Sequence, residues 1–169
     1  MSDVAASIRL ASSVLLAALA ACAVWTPILV STRSPARAQE STNERALPDK
    51  PFAEHRLVLQ LSDDEPKKQG LIISVANNLL KLYGPDRIAI EVVTFGPGID
   101  LLRADSANRR YVDSLAAQGV RFDLCMNTVE TIERNTGQRP EFNPNAVPVE
   151  AGVAQILALT ENGYTLVRP

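Results

Sequence analysis

Short apolar runs that suit β-strands alternate with helical patterns along residues 56–168, and this alternation limits the chain to few folds. Strands are predicted at 56–61, 88–95, 120–125, 147–149 and 164–168. A helical pattern of ten or more residues separates most of them, which is the length that a crossover between parallel strands requires. We therefore predict an α/β fold: a three-layer α/β/α sandwich with a five-stranded, mainly parallel, doubly wound sheet.

Capping and breaking residues give the expected helix boundaries. The first helix is predicted to use Ser62, Asp63 or Asp64 as N-cap, with Pro66 in its first turn and Gly84-Pro85 at its end. Gly96-Pro97-Gly98 predicts a turn before a short helical segment, and further helices are expected at 106–118, from Asn127 or Thr128 onward, and at 152–162. Tyr83 and Phe95 are predicted to be core residues.

The first forty residues have the pattern of a targeting segment. Residues 10–30 carry no charge and are long enough to cross a bilayer as a helix. Ala36 and Ala38 then supply the small residues of a signal-peptidase site, which predicts cleavage after Ala38. An uncleaved membrane anchor and a lipoprotein with Cys22 as lipidated residue are the alternatives. All three predict a periplasmic or otherwise exported protein. If the segment stays uncleaved, membrane contact is expected only through residues 10–30.

The domain organisation follows from these segments. Residues 1–38 are predicted to be a secretory signal or N-terminal membrane anchor, and residues 39–54, which are polar and carry two prolines, a flexible leader. Residues 55–169 form the predicted α/β domain.

Composition excludes several functional classes. The net charge is −2 and no basic cluster exceeds the pair Lys67-Lys68, so we expect no nucleic-acid partner. Two cysteines and one histidine cannot supply a four-ligand Cys/His zinc site. No G-x-G-x-x-G or G-x-x-x-x-G-K-[ST] motif is present. We expect neither a metal nor a cofactor.

Cys125 is the cysteine that remains if the leader is removed, and it ends the third predicted strand. Ligands of parallel sheets bind beyond the carboxyl ends of the strands, and thiolates are favoured at helix N-termini by unpaired N–H groups and the helix dipole. Cys125 is therefore the candidate catalytic residue. The alternative is a small apolar side chain that fills the core.

Four segments together resemble the DsrE/DsrF-like family, in its exported branch, over residues 56–169. They are L-V-L-Q-L-S-D-D at 57–64, A-N-N-L-L-K-L-Y-G-P-D at 76–86, I-E-V-V-T-F-G-P-G at 90–98, and S-L-A-A-Q-G-V-R-F-D-L-C-M-N-T at 114–128. The resemblance implies a small homo-oligomeric α/β protein of sulfur relay, with a persulfide carried on the cysteine at this strand end. That cysteine is Cys125, and Asn127 and Thr128 belong to the same motif.

The sequence and the resemblance lead to a functional expectation. The protein would be a sulfurtransferase or sulfur carrier that holds sulfane sulfur on Cys125, with the donor and the acceptor thiol left open. Asn127 and Thr128 would hydrogen-bond the anionic sulfur, and Gly96 and Gly98 would let the backbone approach it closely. The alternatives are a non-catalytic homo-oligomeric periplasmic binding module and a thiol redox sensor.

Overall fold

The computed structural model describes residues 50–169, in which five strands form one all-parallel sheet of order β4-β3-β2-β1-β5. The predicted three-layer α/β/α sandwich is confirmed. The first four strands are added in chain order toward one edge, and the fifth returns to the opposite edge beside the first. The strands are β1 (His55–Leu61), β2 (Ile88–Thr94), β3 (Arg121–Cys125), β4 (Ala146–Val149) and β5 (Thr165–Val167).

The helices cover the two faces of the sheet unequally. Most helical packing lies on one face, here called the α1 face, whereas α4 is the helix that the described residues place on the other, the α4 face. The helices are α1 (Pro66–Tyr83), a 3-10 helix (Gly96–Leu102), α2 (Arg109–Ala117), α3 (Met126–Thr136) and α4 (Gly152–Glu161).

The two faces also differ in chemistry. The α1 face is a large apolar core in which Leu59, Ile90 and Phe122 pack against side chains from α1, α2, α3 and the 3-10 helix. On the α4 face a smaller cluster packs beneath the helix, with members Val58, Ala89, Val93, Ile156, Leu159 and Tyr164. Residues two apart in a strand point to the same side, so β3 directs Arg121, Asp123 and Cys125 toward the α4 face. This face therefore combines a small apolar cluster with charged groups.

Two helix starts differ from the expected ones. Glu65 occupies the N-cap position of α1 without a side-chain cap hydrogen bond, because Pro66 begins the helix and fixes its first backbone angle. Asp63, predicted as a cap, pairs instead with Lys68 at 3.0 Å. Helix α3 begins at Met126, directly after the strand, so Cys125 is itself the N-cap residue.

Part of the predicted leader contacts the domain at the amino end of the sheet. The Nζ of Lys50 donates to the carbonyl oxygens of Pro85 at 2.8 Å and Ile88 at 3.1 Å, and burial lowers its pKa. Glu54 pairs with Arg87 at 2.7 Å. Cys125 lies at the opposite, carboxyl end of the sheet, so these contacts leave the thiol end clear.

The predicted signal or anchor, with the cleavage site after Ala38 and the lipidation site at Cys22, lies outside the described residues. Across residues 50–169, no helix has the length and apolar character that a membrane span requires.

Candidate functional site

Cys125 lies where three chain segments meet at the carboxyl end of the sheet. It ends β3, caps α3, and pairs with Val149 of β4. The residue is 5% exposed. The backbone N–H of Gly152, the first residue of α4, donates a hydrogen bond to its Sγ at 3.2 Å. The first N–H groups of a helix have no partner within the helix, so the sulfur satisfies one of them.

The backbone of Gly152 lies in a narrow space between Phe95 and Cys125, which leaves little room for a side chain. A Cβ added to Gly152 would lie 3.1 Å from the Cβ and Cδ1 of Phe95 and 3.4 Å from the Cβ of Cys125. A larger residue would have to displace the Phe95 ring. The glycine therefore brings the start of α4 into direct contact with the cysteine.

Asn127 and Thr128 lie beside Cys125 but contact other groups. The Asn127 side chain is exposed, and its backbone N–H donates to the carbonyl oxygen of Glu150 at 3.2 Å. The Oγ1 of Thr128 accepts a hydrogen bond from the backbone N–H of Gly96 at 3.0 Å. These two residues join the turns after β2, β3 and β4. In the described part of the chain, the donor to Sγ is Gly152, which the sequence analysis did not select.

Gly96 and Gly98 form the turn after β2, in the 3-10 helix. Gly96 has a positive φ of 53°, which favours glycine, and Gly98 packs directly on β1. A Cβ on Gly98 would overlap the backbone carbonyl of Leu61. The close backbone approach of Gly98 is therefore made to β1, and it fixes the position of the turn that Thr128 binds.

Two buried carboxyl groups lie on the α4 face, the face to which Cys125 also points. Glu91 of β2 is 2% exposed and Asp123 of β3 is 0% exposed. The Nε of Arg121 donates to Asp123 Oδ1 at 2.7 Å and lies 3.9 Å from Glu91 Oε2. Gln155 of α4 donates to the same Glu91 oxygen at 3.4 Å. Within residues 50–169, Glu91 Oε1 and Asp123 Oδ2 have no hydrogen-bond partner.

Burial and the adjacent Asp123 raise the pKa of Glu91 to about 8, and the charge of Arg121 only partly opposes this shift. Burial likewise raises the pKa of Tyr164, and the neighbouring Glu91 carboxylate adds to that shift. The cluster can therefore hold a proton at neutral pH. Its sequence signal was present, since Glu91 interrupts an apolar run in β2 and β3 carries Arg121 and Asp123 between apolar residues.

A cleft of about 450 Å³ lies elsewhere, between the end of the 3-10 helix and the loop that follows α3. Arg103, Ile132 and Pro140 are among its lining residues, and Cys125 is not. Nowhere in residues 50–169 do three or more His, Cys, Asp or Glu side chains gather as a metal-binding group.

Comparison with solved structures finds similar proteins. The solved structure of MTH1491 from Methanobacterium thermoautotrophicum, described as a protein of unknown function, is similar with a TM-score of 0.62 and 31% sequence identity. The match covers 69% of this chain and 100% of that one. The chain belongs to the family of MTH1491. No protein-family model and no curated protein matches it. The similarity to MTH1491 therefore supports the fold of this chain and suggests no activity for it.

Proposed function

We propose that the protein is an exported sulfur carrier that holds sulfane sulfur as a persulfide on Cys125. The observation that carries this proposal is the Gly152 N–H at 3.2 Å from Sγ, at the start of α4. A donor in this position, with the helix dipole behind it, favours negative charge on the sulfur. The resemblance to the DsrE/DsrF-like family supports the same chemistry.

The reaction requires one cysteine and no change in overall oxidation state. The Cys125 thiolate attacks the outer sulfur of thiosulfate, a polysulfide or a donor persulfide. The donor's S–S bond breaks, and sulfite, a shorter polysulfide or a thiolate leaves with the bonding electrons. An acceptor thiolate then attacks the outer sulfur on Cys125, takes it as its own persulfide, and restores the Cys125 thiolate.

Intact-mass spectrometry tests the loading step. Incubation with polysulfide or thiosulfate should add about 32 Da per sulfur atom, and reductant should remove it. In the chain cleaved after Ala38, which lacks Cys22, Cys125→Ser should gain no mass, and full loading of this variant would refute the proposal. Treatment with peroxide instead tests the redox-sensor alternative, since a sulfenic acid or an intermolecular disulfide changes the mass differently.

A matched pair of variants tests the role of the Gly152 N–H. Gly152→Ala and Gly152→Pro both place a Cβ against Phe95, but only proline removes the N–H. A hydrogen bond to a charged group contributes about 1.5–3 kcal/mol, so the proline variant should load at least about tenfold less sulfur at equilibrium than the alanine variant. Equal loading would show that this donor does not stabilise the persulfide.

Export is part of the proposal. Residues 10–30 and the Ala36–Ala38 site support cleavage after Ala38, with an uncleaved anchor or lipidation on Cys22 as the other routes. The N-terminus and mass of the protein recovered from its cell envelope distinguish the three. Recovery of the complete, unmodified chain from the cytosol would contradict export.

Self-association is a second candidate function, as a homo-oligomeric binding module. Val153 and Leu157, one turn apart on the outer side of α4, are 64% and 59% exposed. Exposed apolar pairs of this kind favour burial against another surface. Light scattering at micromolar concentration should show an oligomer that Leu157→Glu dissociates. A monomer at all concentrations would exclude this candidate.

A further inference from the structure

The α4 face contains a buried charge cluster that the proposed sulfur chemistry does not use. Two carboxyl groups, Glu91 and Asp123, approach the guanidinium of Arg121, and each retains one oxygen without a partner in the described part of the chain. Two ionised carboxylates offer only acceptors to each other. A single proton between them converts one acceptor into a donor, which removes the unsatisfied oxygens and one buried negative charge.

Helix α4 covers this cluster and Cys125 together. Gln155 contacts Glu91, and Gly152, one turn earlier, contacts Cys125. Ile156 and Leu159 supply the apolar contacts that hold the helix on the sheet. Because the thiol is almost fully buried, a sulfur donor reaches it only after the start of α4 moves.

We propose that Glu91 and Asp123 share one proton that keeps α4 closed on the sheet, and that loss of this proton at alkaline pH loosens α4 and uncovers Cys125. The proton leaves to solvent or buffer base. Two carboxylates then face one another in a site of low dielectric, and entry of water is the change that relieves their repulsion. Of the helices in residues 50–169, α4 is the cover that must lift to admit it.

The charged groups around Glu91 and Asp123 do not neutralise both carboxylates in place of the shared proton. Among residues 50–169, the groups that face the cluster are Arg56 of β1, Arg121 of β3, Gln155 of α4, Tyr164 before β5, and Lys50 before β1. Arg56 lies over the Tyr164 ring at 5.8 Å, and Lys50 is bound to two carbonyl oxygens. Gln155 offers Glu91 a neutral donor. The raised pKa of Glu91 already includes the effect of Arg121 and agrees with a proton retained at pH 7.

Amide hydrogen exchange of the full chain tests the opening. Amide exchange itself accelerates with pH, so the rates are first corrected for that intrinsic dependence. The protection factors of α4 amides, relative to those of α1, should then fall about tenfold from one pH unit below the pKa of Glu91 to one unit above it. Glu91→Gln and Asp123→Asn each leave at most one carboxylate beside Arg121 and should abolish this fall. Glu130→Gln, an exposed change on α3, should retain it. A fall that persists in both amide variants overturns the proposal.

A water molecule is the competing partner for Glu91. The cavity lined by Glu91, Arg121, Tyr164 and Lys50 has a volume of about 10 Å³, close to the room that one water needs. Infrared spectra distinguish the two, because a shared proton gives a protonated-carboxyl carbonyl band at pH 7 that Glu91→Gln removes. A water beside two ionised carboxylates gives no such band. A spectrum at pH 7 without the band therefore overturns the proposal.

Alkylation of Cys125 by a neutral reagent provides the readout at the thiol. At pH 9 the wild type should react faster than Glu91→Gln, because its α4 is open. An effect of carboxylate charge on the thiolate alone would give the opposite order and would contradict the opening. None of these experiments requires sulfur on Cys125, so failure of persulfide loading and failure of this proposal are distinguishable.

Discussion

Gly98 shows how a single residue positions the candidate site. Its backbone packs so closely on β1 that a Cβ would overlap the carbonyl of Leu61. Gly98→Ala must shift either the turn after β2 or the end of β1, and such overpacking costs about 1–3 kcal/mol. We expect a lower free energy of unfolding, measured in urea. We also expect weaker protection of the neighbouring Gly96 amide, which donates to Thr128.

Gly70 supplies the control for this substitution. It lies within α1, is exposed, and has no atom within 4 Å of an added Cβ. Alanine is the better helix former by about 0.5–1 kcal/mol, so Gly70→Ala should raise the free energy of unfolding. We therefore expect Gly98→Ala to lower the free energy of unfolding and Gly70→Ala to raise it. Equal effects would show that the contact between Gly98 and β1 is loose.

The sequence predicted the five strands and the helical segments between them, because hydrophobic periodicity reports local burial. Cap positions were predicted less well. The N-cap of α1 falls on Glu65 and that of α3 on Cys125, since in both cases the chain turns directly from an extended residue into the helix. Tyr83, expected in the core, is 36% exposed at the end of α1, where its ring contacts His55.

The candidate site could be predicted only in part, because some of its contacts join elements that are distant in the sequence. Cys125 and the turn at Gly96 are visible from strand ends. The contact with Gly152 depends on how α4 crosses the sheet between its two edges, and no local pattern encodes that path. The pairing of Glu91 with Asp123 depends on strand register, which places Glu91 opposite Arg121. The available signal was Glu91 within the apolar run of β2, and Arg121 with Asp123 between the apolar residues of β3.

Helix α4 packs on the sheet with one side and exposes the other. Leu159 packs inward with Ile156 on the small apolar cluster, whereas Leu157 points outward and is 59% exposed. Leu159→Ala should lower the free energy of unfolding by about 2–4 kcal/mol and increase alkylation of Cys125. Leu157→Ala should change the free energy of unfolding of the monomer by less than about 0.5 kcal/mol. Equal losses in urea unfolding would contradict the packing of α4 described here.

For the whole molecule, the buried carboxyl pair gives stability an unusual dependence on pH. Glu91 releases its proton at about pH 8 in the folded protein and near 4.5 when unfolded, so the folded state binds the extra proton between these values. The contribution of protonated Glu91 to the free energy of unfolding is therefore fully present below pH 4.5, and it is lost as the pH rises to about 8. Glu54, Asp63 and Asp113, the carboxyl groups with lowered pKa values in residues 50–169, act at lower pH and in the opposite direction.

Urea unfolding from pH 5 to pH 9 measures this dependence. The free energy of unfolding should fall with pH by up to about 1.4 kcal/mol per unit and level off above pH 8. Glu91→Gln cannot ionise and should be nearly flat over the same range, while Glu130→Gln on exposed α3 should follow the wild type. If wild type and Glu91→Gln have the same slope, Glu91 is ionised in the folded protein at pH 7. The negative charge beneath α4 must then be balanced by groups other than the shared proton.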